Sequence, residues 1–136
     1  MSERGWVAPE ALLEEARRAA TLAHAPYSRF RVGAAVVAGG QVFSGCNVEN
    51  ASYGLSMCAE RVAAFKAVSS GQTQLSQVAV SCIDADPGLG PRGRMPCGAC
   101  RQVLLELASA DTPIWVDGVG EFSLGALLPE AFLLGS

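Results

Sequence analysis

The chain reads as an α/β protein, a mixed or parallel sheet covered by helices, on three observations. The first is the order of its predicted elements: helix, hairpin, helix, strand, helix, strand, short strand. Helices that fall between strands of one sheet pack on its faces. The second is a pair of β-prone runs joined by Gly39-Gly40, followed later by a short, largely apolar strand that suits the middle of the sheet. The third is that two of the helices open on cysteine-bearing motifs, Cys58-Ala59-Glu60 and Pro96-Cys97-Gly98-Ala99-Cys100. The 136 residues are expected to form one domain, residues 1–136, with a core that needs no disulfide staples.

Residues 9–24 are predicted as the first helix. Pro9 stands near its start, Leu12, Leu13, Ala16, Ala19, Ala20 and Ala23 form its apolar stripe, and Pro26 stops it. Residues 31–38 and 41–46 make the hairpin. Residues 47–57 hold turn formers and are predicted as a loop, and residues 58–69 as the second helix. Residues 77–83 are the apolar strand, and residues 84–95, rich in Gly and Pro, form a loop beside the second cysteine motif. The third helix starts around residues 96–98 and runs to Ala108. Residues 114–116 form a strand, Asp117-Gly118 a turn, and residues 121–124 a returning edge strand. The tail, 125–134, is unusually apolar and is expected to pack on the domain or on another subunit. No internal repeat is evident.

Half of the residues are hydrophobic and 17% are charged, a globular composition. A net charge of −3 with scattered basic residues argues against a nucleic-acid surface. No stretch has the continuity of a membrane span, and the first five residues lack the pattern of a secretory signal. The five cysteines are an odd number, and their placement suits a metal site in a reducing cytoplasm better than a disulfide framework.

Cys97 and Cys100 lie three apart on one helical face, and Cys58 arrives from another helix. Three thiolates suit Zn2+ and leave a fourth position for water. Glu60, two residues from the first ligand, is the carboxylate that hydrolytic zinc chemistry needs beside that water, first taking and then returning a proton. A four-cysteine structural clip through Cys46 or Cys82 is the bland alternative, and it leaves Glu60 without a role. Helix N-termini stabilise thiolates. Even so, three thiolates and one zinc sum to a single net negative charge, and Arg61 is the positive side chain placed to offset it. His24, the only histidine, is read as a helix-end or surface residue and excludes a histidine-rich metal site.

These motifs resemble the short-chain, zinc-dependent branch of the cytidine deaminase family, and the resemblance covers nearly the whole chain. Its blocks appear in order as Tyr27-Ser28-Arg29-Phe30-Arg31-Val32-Gly33-Ala34-Ala35, Asn47-Val48-Glu49-Asn50-Ala51-Ser52-Tyr53-Gly54, Cys58-Ala59-Glu60-Arg61 and Pro96-Cys97-Gly98-Ala99-Cys100-Arg101-Gln102-Val103. The zinc blocks also fit the deaminase signature H-x-E followed by P-C-x-x-C, with Cys in the first position.

The resemblance implies a three-layer α-β-α fold with a mixed five-stranded sheet. It implies a homotetramer with shared active sites acting on pyrimidine nucleosides. Asn47 and Glu49 would bind the sugar, Phe30 would pack on the base, and the Ala59 backbone would hydrogen-bond it. Asn50 would brace its own loop. Tyr53 and Phe132 would line a neighbouring subunit's pocket. The chain departs from the family pattern in the longer connection at residues 84–95, which would reshape the rim of the pocket. Met95 stands there where a small polar residue is common, and Arg92 and Arg94 read as solubilising residues of a surface loop, not as phosphate ligands. The expected reaction is hydrolytic deamination of cytidine and 2′-deoxycytidine to uridine and 2′-deoxyuridine with release of ammonia. Deamination of a cytosine-nucleoside antibiotic and a noncatalytic, zinc-stabilised interaction protein are the alternatives left open.

Overall fold

The computed structural model describes residues 5–135. The expectation about residues 1–4 lies outside the described residues. Five strands, β1 (Val32–Ala38), β2 (Gln41–Cys46), β3 (Leu75–Cys82), β4 (Pro113–Val116) and β5 (Gly120–Ser123), form one sheet in the order β2-β1-β3-β4-β5. β3 and β4 pair in parallel, while β1 with β2, β1 with β3 and β4 with β5 are antiparallel. The parallel pair is joined through helix α3 (Gly98–Leu107), the right length of connection for a crossover.

Alternation along the strands explains the layers. Ala34, Val36, Ala38, Val78, Val80, Ile114 and Val116 point to one face, where helix α2 (Ala59–Ser69) and α3 cover them. Ala35, Val37, Ala79 and Trp115 point to the other, under Leu12 and Ala16 of helix α1 (Pro9–Ala20). β1 is therefore buried on both faces, which is why it reads as an unbroken apolar run despite its antiparallel neighbours. The result is the expected three-layer α-β-α arrangement around a mixed five-stranded sheet.

The α2 face of the core is built from small residues. Ala59, Ala63, Ala64 and Ala67 are all fully buried, so the helix lies close to the sheet. At the closest approach, a Cβ added to Gly45 would stand 2.6 Å from the backbone nitrogen of Ala63 and 2.9 Å from the carbonyl oxygen of Ala59. Glycine at position 45 thus sets how near α2, and the cysteine preceding it, comes to β2. On the opposite face Gln77 is fully buried. Its amide accepts from Val7 N at 2.9 Å and donates to Val7 O at 2.6 Å. That exchange fastens the N-terminal segment beside the edge-to-face pair Trp6–Trp115, whose ring centroids are 5.7 Å apart.

One expectation needs correction. α1 ends at Ala20, not at His24. Leu22 and Ala23 follow in tight turns, and His24 leaves the helix to pair with residues 47–49. Its N–H donates to Asn47 O at 3.0 Å, and its carbonyl accepts from Glu49 N at 2.8 Å. A further helical turn would have satisfied those groups no better, and Leu22 faces solvent in any case. The apolar tail packs only in part on its own domain, in line with an expectation that allowed another subunit to cover the rest. A short helix α4 (Leu124–Leu127), capped by Ser123, buries Leu124, but Phe132, Leu133 and Leu134 beyond it are exposed. Smaller differences are one- or two-residue shifts of strand and helix ends, and a 3-10 turn at Tyr53–Leu55 within the loop.

Replacing Gly45 by Ala is expected to destabilise the fold by about 2–3 kcal/mol, because backbone atoms cannot yield to the added methyl. Gly54→Ala, with open space around the new carbon, serves as the comparison. Denaturant midpoints check this, and two variants unfolding together would contradict the close approach.

Candidate active site

The site forms where two helix N-termini meet at one end of the sheet. Cys58 is the N-cap of α2 and Cys97 the N-cap of α3; both have extended backbone and neither uses its side chain to cap its helix. Their side chains are thereby free to converge. Cys58 O accepts from Arg61 N and Val62 N, and Cys97 O from Arg101 N, so the first turn of each helix closes behind its cysteine. Arg101 braces this corner, donating from Nε to Pro96 O at 2.8 Å and from Nη1 to Leu127 O at 2.7 Å.

The sulfurs of Cys58, Cys97 and Cys100 all lie within 4.8 Å of one another, and those of Cys58 and Cys97 are 3.9 Å apart. Sulfurs bound at about 2.3 Å to one tetrahedral zinc stand about 3.8 Å apart, so the triangle has the size of a zinc ligand set. The charge around it also fits. Arg61 donates from Nη2 to Cys58 Sγ at 3.4 Å, while its buried Nε finds no partner among the described residues. A guanidinium kept there at the expense of one unsatisfied donor is answering a concentration of negative charge. Hydrogen bonding from the Cys100 thiol, with Arg61 assisting, pulls the Cys58 thiol down to about 5. The same contact with Cys58, and burial, push Cys100 in the opposite direction. Of this pair, Cys58 is therefore the sulfur readier to carry charge.

Glu60 follows Cys58 on α2, and its side chain is turned inward, only 4% exposed. Burial pushes its carboxyl up to about 7, with the charge on Cys58 adding to the effect and its own backbone N–H and Arg61 opposing it. A divalent cation at the three sulfurs acts downward on the same group. A carboxyl poised near neutrality can both accept and return a proton.

A cavity of about 160 Å³ opens onto this cluster. Of the residues singled out in the sequence, it is lined by Cys58, Ala59, Glu60, Cys97, Phe30 and Asn47. Cys100 lies buried and completes the sulfur triangle, and Arg61 stands behind Cys58. The larger surface depressions, including one of about 790 Å³ beside Thr73 and Glu106, lie away from the cysteines. The small cavity is the one with chemistry in it.

Asn47 and Glu49 are partly committed to backbone. The Asn47 amide donates to Phe30 O and accepts from Val32 N, both at 2.9 Å, and so holds Phe30 at the cavity. Glu49 stands outside the cavity lining. Its carboxylate accepts from Tyr27 N and Ser28 N at 3.1 Å and from the Ser28 hydroxyl. Those bonds, the Ser28 hydroxyl first, hold its carboxyl below the usual range. Asn50 braces its own loop, as expected, through Ser52 N and Ser56. Tyr53 and Phe132 do not reach the cavity of their own chain; they are 77% and 69% exposed.

The sequence reading placed the 84–95 loop and Met95 at the rim, but it missed Val32, Val80 and Cys82 as wall residues and read Arg94 as a surface residue. Gly93, Arg94 and Met95 of that loop all line the cavity, as its position directly before Pro96-Cys97 signalled. Cys82 is a bystander to the metal set, its thiol pushed up to about 11 by burial and by the charge of Glu60.

Comparison with known proteins agrees with this geometry. Residues 7–115 match the family described as the cytidine and deoxycytidylate deaminase zinc-binding region. A cytidine deaminase of Halalkalibacterium halodurans is 45% identical over 126 residues, covering 89% of this chain and 91% of the relative. One from Mycobacterium tuberculosis is 46% identical over 119 residues, covering 86% and 84%. Among solved structures, the cytidine deaminase of Burkholderia pseudomallei superposes with a TM-score of 0.82 at 44% identity, covering 93% of this chain and all of that one. The Mycobacterium tuberculosis enzyme gives 0.81 at 42% identity, over 95% of this chain and all of that one. A likeness of this breadth, running through both cysteine blocks and the sheet that carries them, makes this chain a member of the cytidine deaminase family.

Proposed function

We propose that this chain, as a single catalytic domain, hydrolyses cytidine and 2′-deoxycytidine to uridine and 2′-deoxyuridine with release of ammonia. The observation that carries the reading is the buried carboxylate of Glu60 in the same small cavity as the sulfur triangle. Cys58, Cys97 and Cys100 would hold Zn2+. Bound there, zinc supplies Lewis acidity and lowers the pKa of water at its open position toward neutrality.

In this reading Phe30 packs against the pyrimidine, and the Ala59 backbone and Asn47 orient the nucleoside. Glu49, through the turn it holds at residues 27–28, contributes to the sugar end. The net change at the reacting ring carbon is a new bond to oxygen from water and a broken bond to the amino nitrogen. Glu60 takes up a proton from the water at a carboxylate oxygen, delivers it to the ring nitrogen, and assists departure of ammonia. Burial of Glu60 and the apolar lining of Phe30, Val32, Val80 and Met95 exclude competing water. Arg61 acts through the sulfurs, draining charge from Cys58 so that the three thiolates leave the metal acidic enough.

The pocket of one chain is small. Sites for drug-sized ligands usually measure roughly 300–1,000 Å³, so about 160 Å³ holds a ring but not a whole nucleoside. This supports a homotetramer with shared active sites, in which the exposed Tyr53 and Phe132 close a neighbour's cavity. The thiols call for a reducing compartment, and the cytoplasm is the proposed location. Among the described residues no helix is long and apolar enough to cross a membrane.

Steady-state rates of the zinc-loaded protein on cytidine, deoxycytidine, cytosine, cytidine monophosphate and blasticidin test the assignment. The two nucleosides are expected to lead, and a preference for the antibiotic or the monophosphate would sink it. Glu60→Gln is expected to lower kcat by at least about a thousandfold at unchanged zinc content; equal activity would remove Glu60 from the proton path. Arg61→Ala is expected to weaken zinc retention in a chelator competition by about 10–100-fold, and unaltered retention would contradict its role. Phe132→Ala is expected to raise KM severalfold in an assembly whose mass, by light scattering, is four chains. A fully active monomer would exclude the shared pocket.

A further inference from the structure

We infer that the 84–95 loop forms a specificity wall of the cavity and that Arg94 is the positioning residue that holds this wall in place. The inference rests on the deaminase reading above. Gly93, Arg94 and Met95 line the cavity together with Glu60 and Cys58, so the loop stands directly beside the reacting position. A solubilising surface arginine would extend into water. Arg94 turns back into its own loop instead, donating from Nη2 to Asp86 O at 3.0 Å and to Leu89 O at 3.4 Å. Its Nε is buried and unpartnered among the described residues, a cost that an arginine free to reach water would not bear.

Three other contacts fix the same strut. Nη1 fills the space over Gly118, where an added Cβ would stand only 2.8 Å away. The Cys82 thiol donates to Arg94 O at 3.9 Å, tying the loop backbone to the end of β3. The Leu89 side chain lies over Gly93, where a Cβ would come within 2.6 Å of it, so the loop is packed against itself directly behind the wall. Arg94 touches the cavity, but its Nη2 is bound to carbonyls of its own loop, its Nη1 stands over Gly118, and its charge acts on Asp117 in the β4–β5 turn. A phosphate entering the cavity would meet the apolar side chains of Val80, Met95 and Phe30, while Nη2 of Arg94 is turned to the carbonyls of its own loop.

The metal ligands and Glu60 sit on α2 and α3, whereas the wall is held by β3, the β4–β5 turn and the loop itself. Releasing Arg94 should therefore loosen how the base is gripped more than how it reacts. Its removal is expected to widen the site and relax discrimination against a pyrimidine enlarged by a ring methyl group.

The experiment compares the native holoenzyme with Arg94→Ala and Arg94→Lys, using cytidine and 5-methylcytidine as substrates, uridine binding by calorimetry, and zinc content. Arg94→Ala should raise KM for cytidine about tenfold with kcat within about threefold, a loss of binding and not of chemistry. Uridine binding should weaken in parallel, the preference for cytidine over 5-methylcytidine should fall about fivefold, and zinc content should hold. Arg94→Lys should recover little, since Nη2 makes both carbonyl bonds while Nη1 fills the space over Gly118, and lysine has a single terminal nitrogen for the two places. If Arg94→Ala does not fold, Gly93→Ala, which displaces Leu89, should produce the same loss of discrimination. An unchanged KM and preference in either folded variant would overturn the inference, as would full rescue by lysine. Turnover of cytidine monophosphate that depends on Arg94 would overturn it too, by making Arg94 a phosphate ligand. A native enzyme inert on cytidine would remove the deaminase reading and this inference with it. An active native enzyme with unaffected variants would remove this inference alone.

Discussion

Three sulfurs must stand within 4.8 Å of one another although they arrive on two different helices, and the rest of the molecule is arranged around that demand. Helix N-termini are suited to it, since their unpaired amides and dipoles favour thiolate. Bringing two of them together requires a sheet that delivers both helices to one end. The parallel β3–β4 pair does this for α3, and the near contact of α2 with Gly45 does it for α2. The alanine face of α2 follows from the same demand, because larger residues there would lift Cys58 and Glu60 away from Cys97.

Placing so much charge inside the fold requires compensation, and the compensation is layered. Arg61 faces the sulfurs from behind. Glu60 is buried among them, which raises its proton affinity toward the range useful for transfer. Further out, Arg17 grips Asp117 at two points, 2.8 and 2.9 Å, and the Ser81 hydroxyl donates to the same carboxylate at 2.8 Å. That pair fastens α1 to the turn after β4, beneath the strut made by Arg94. The sulfur triangle and Glu60 thus rest on polar contacts that are themselves anchored in secondary structure.

Much of this was legible in the sequence, because the chemistry is local to short motifs. Cys58, Glu60 and Arg61 fall within one short motif and Cys97 and Cys100 within another, the latter pair three apart on one helical face. The strand positions followed from apolar runs and from Gly39-Gly40, whose positive φ angles suit the tight hairpin, while the three-layer arrangement came from the family resemblance. What escaped depends on long-range pairing. His24 leaves α1 because residues 47–49 offer its backbone partners, which no periodicity reports. Asn47 and Glu49 could be named, yet not the fact that their polar atoms already bind residues 27–32. Arg94 looked like a solvent residue because its partners are backbone carbonyls, and carbonyls carry no sequence signature.

The small-residue packing of α2 has a consequence for how this protein can diverge. A helix laid on a sheet through Ala59, Ala63, Ala64, Ala67 and Gly45 has no room to accept larger side chains, so that half of the site is frozen in composition. The rim made by residues 84–95 is bounded by exposed turns and closed on itself, and it can lengthen or shorten at little cost in loop entropy. The rim of the cavity and the cysteine cluster are therefore carried by separable pieces of chain. New preferences can be acquired by exchanging one surface segment while the metal triangle stays as it is.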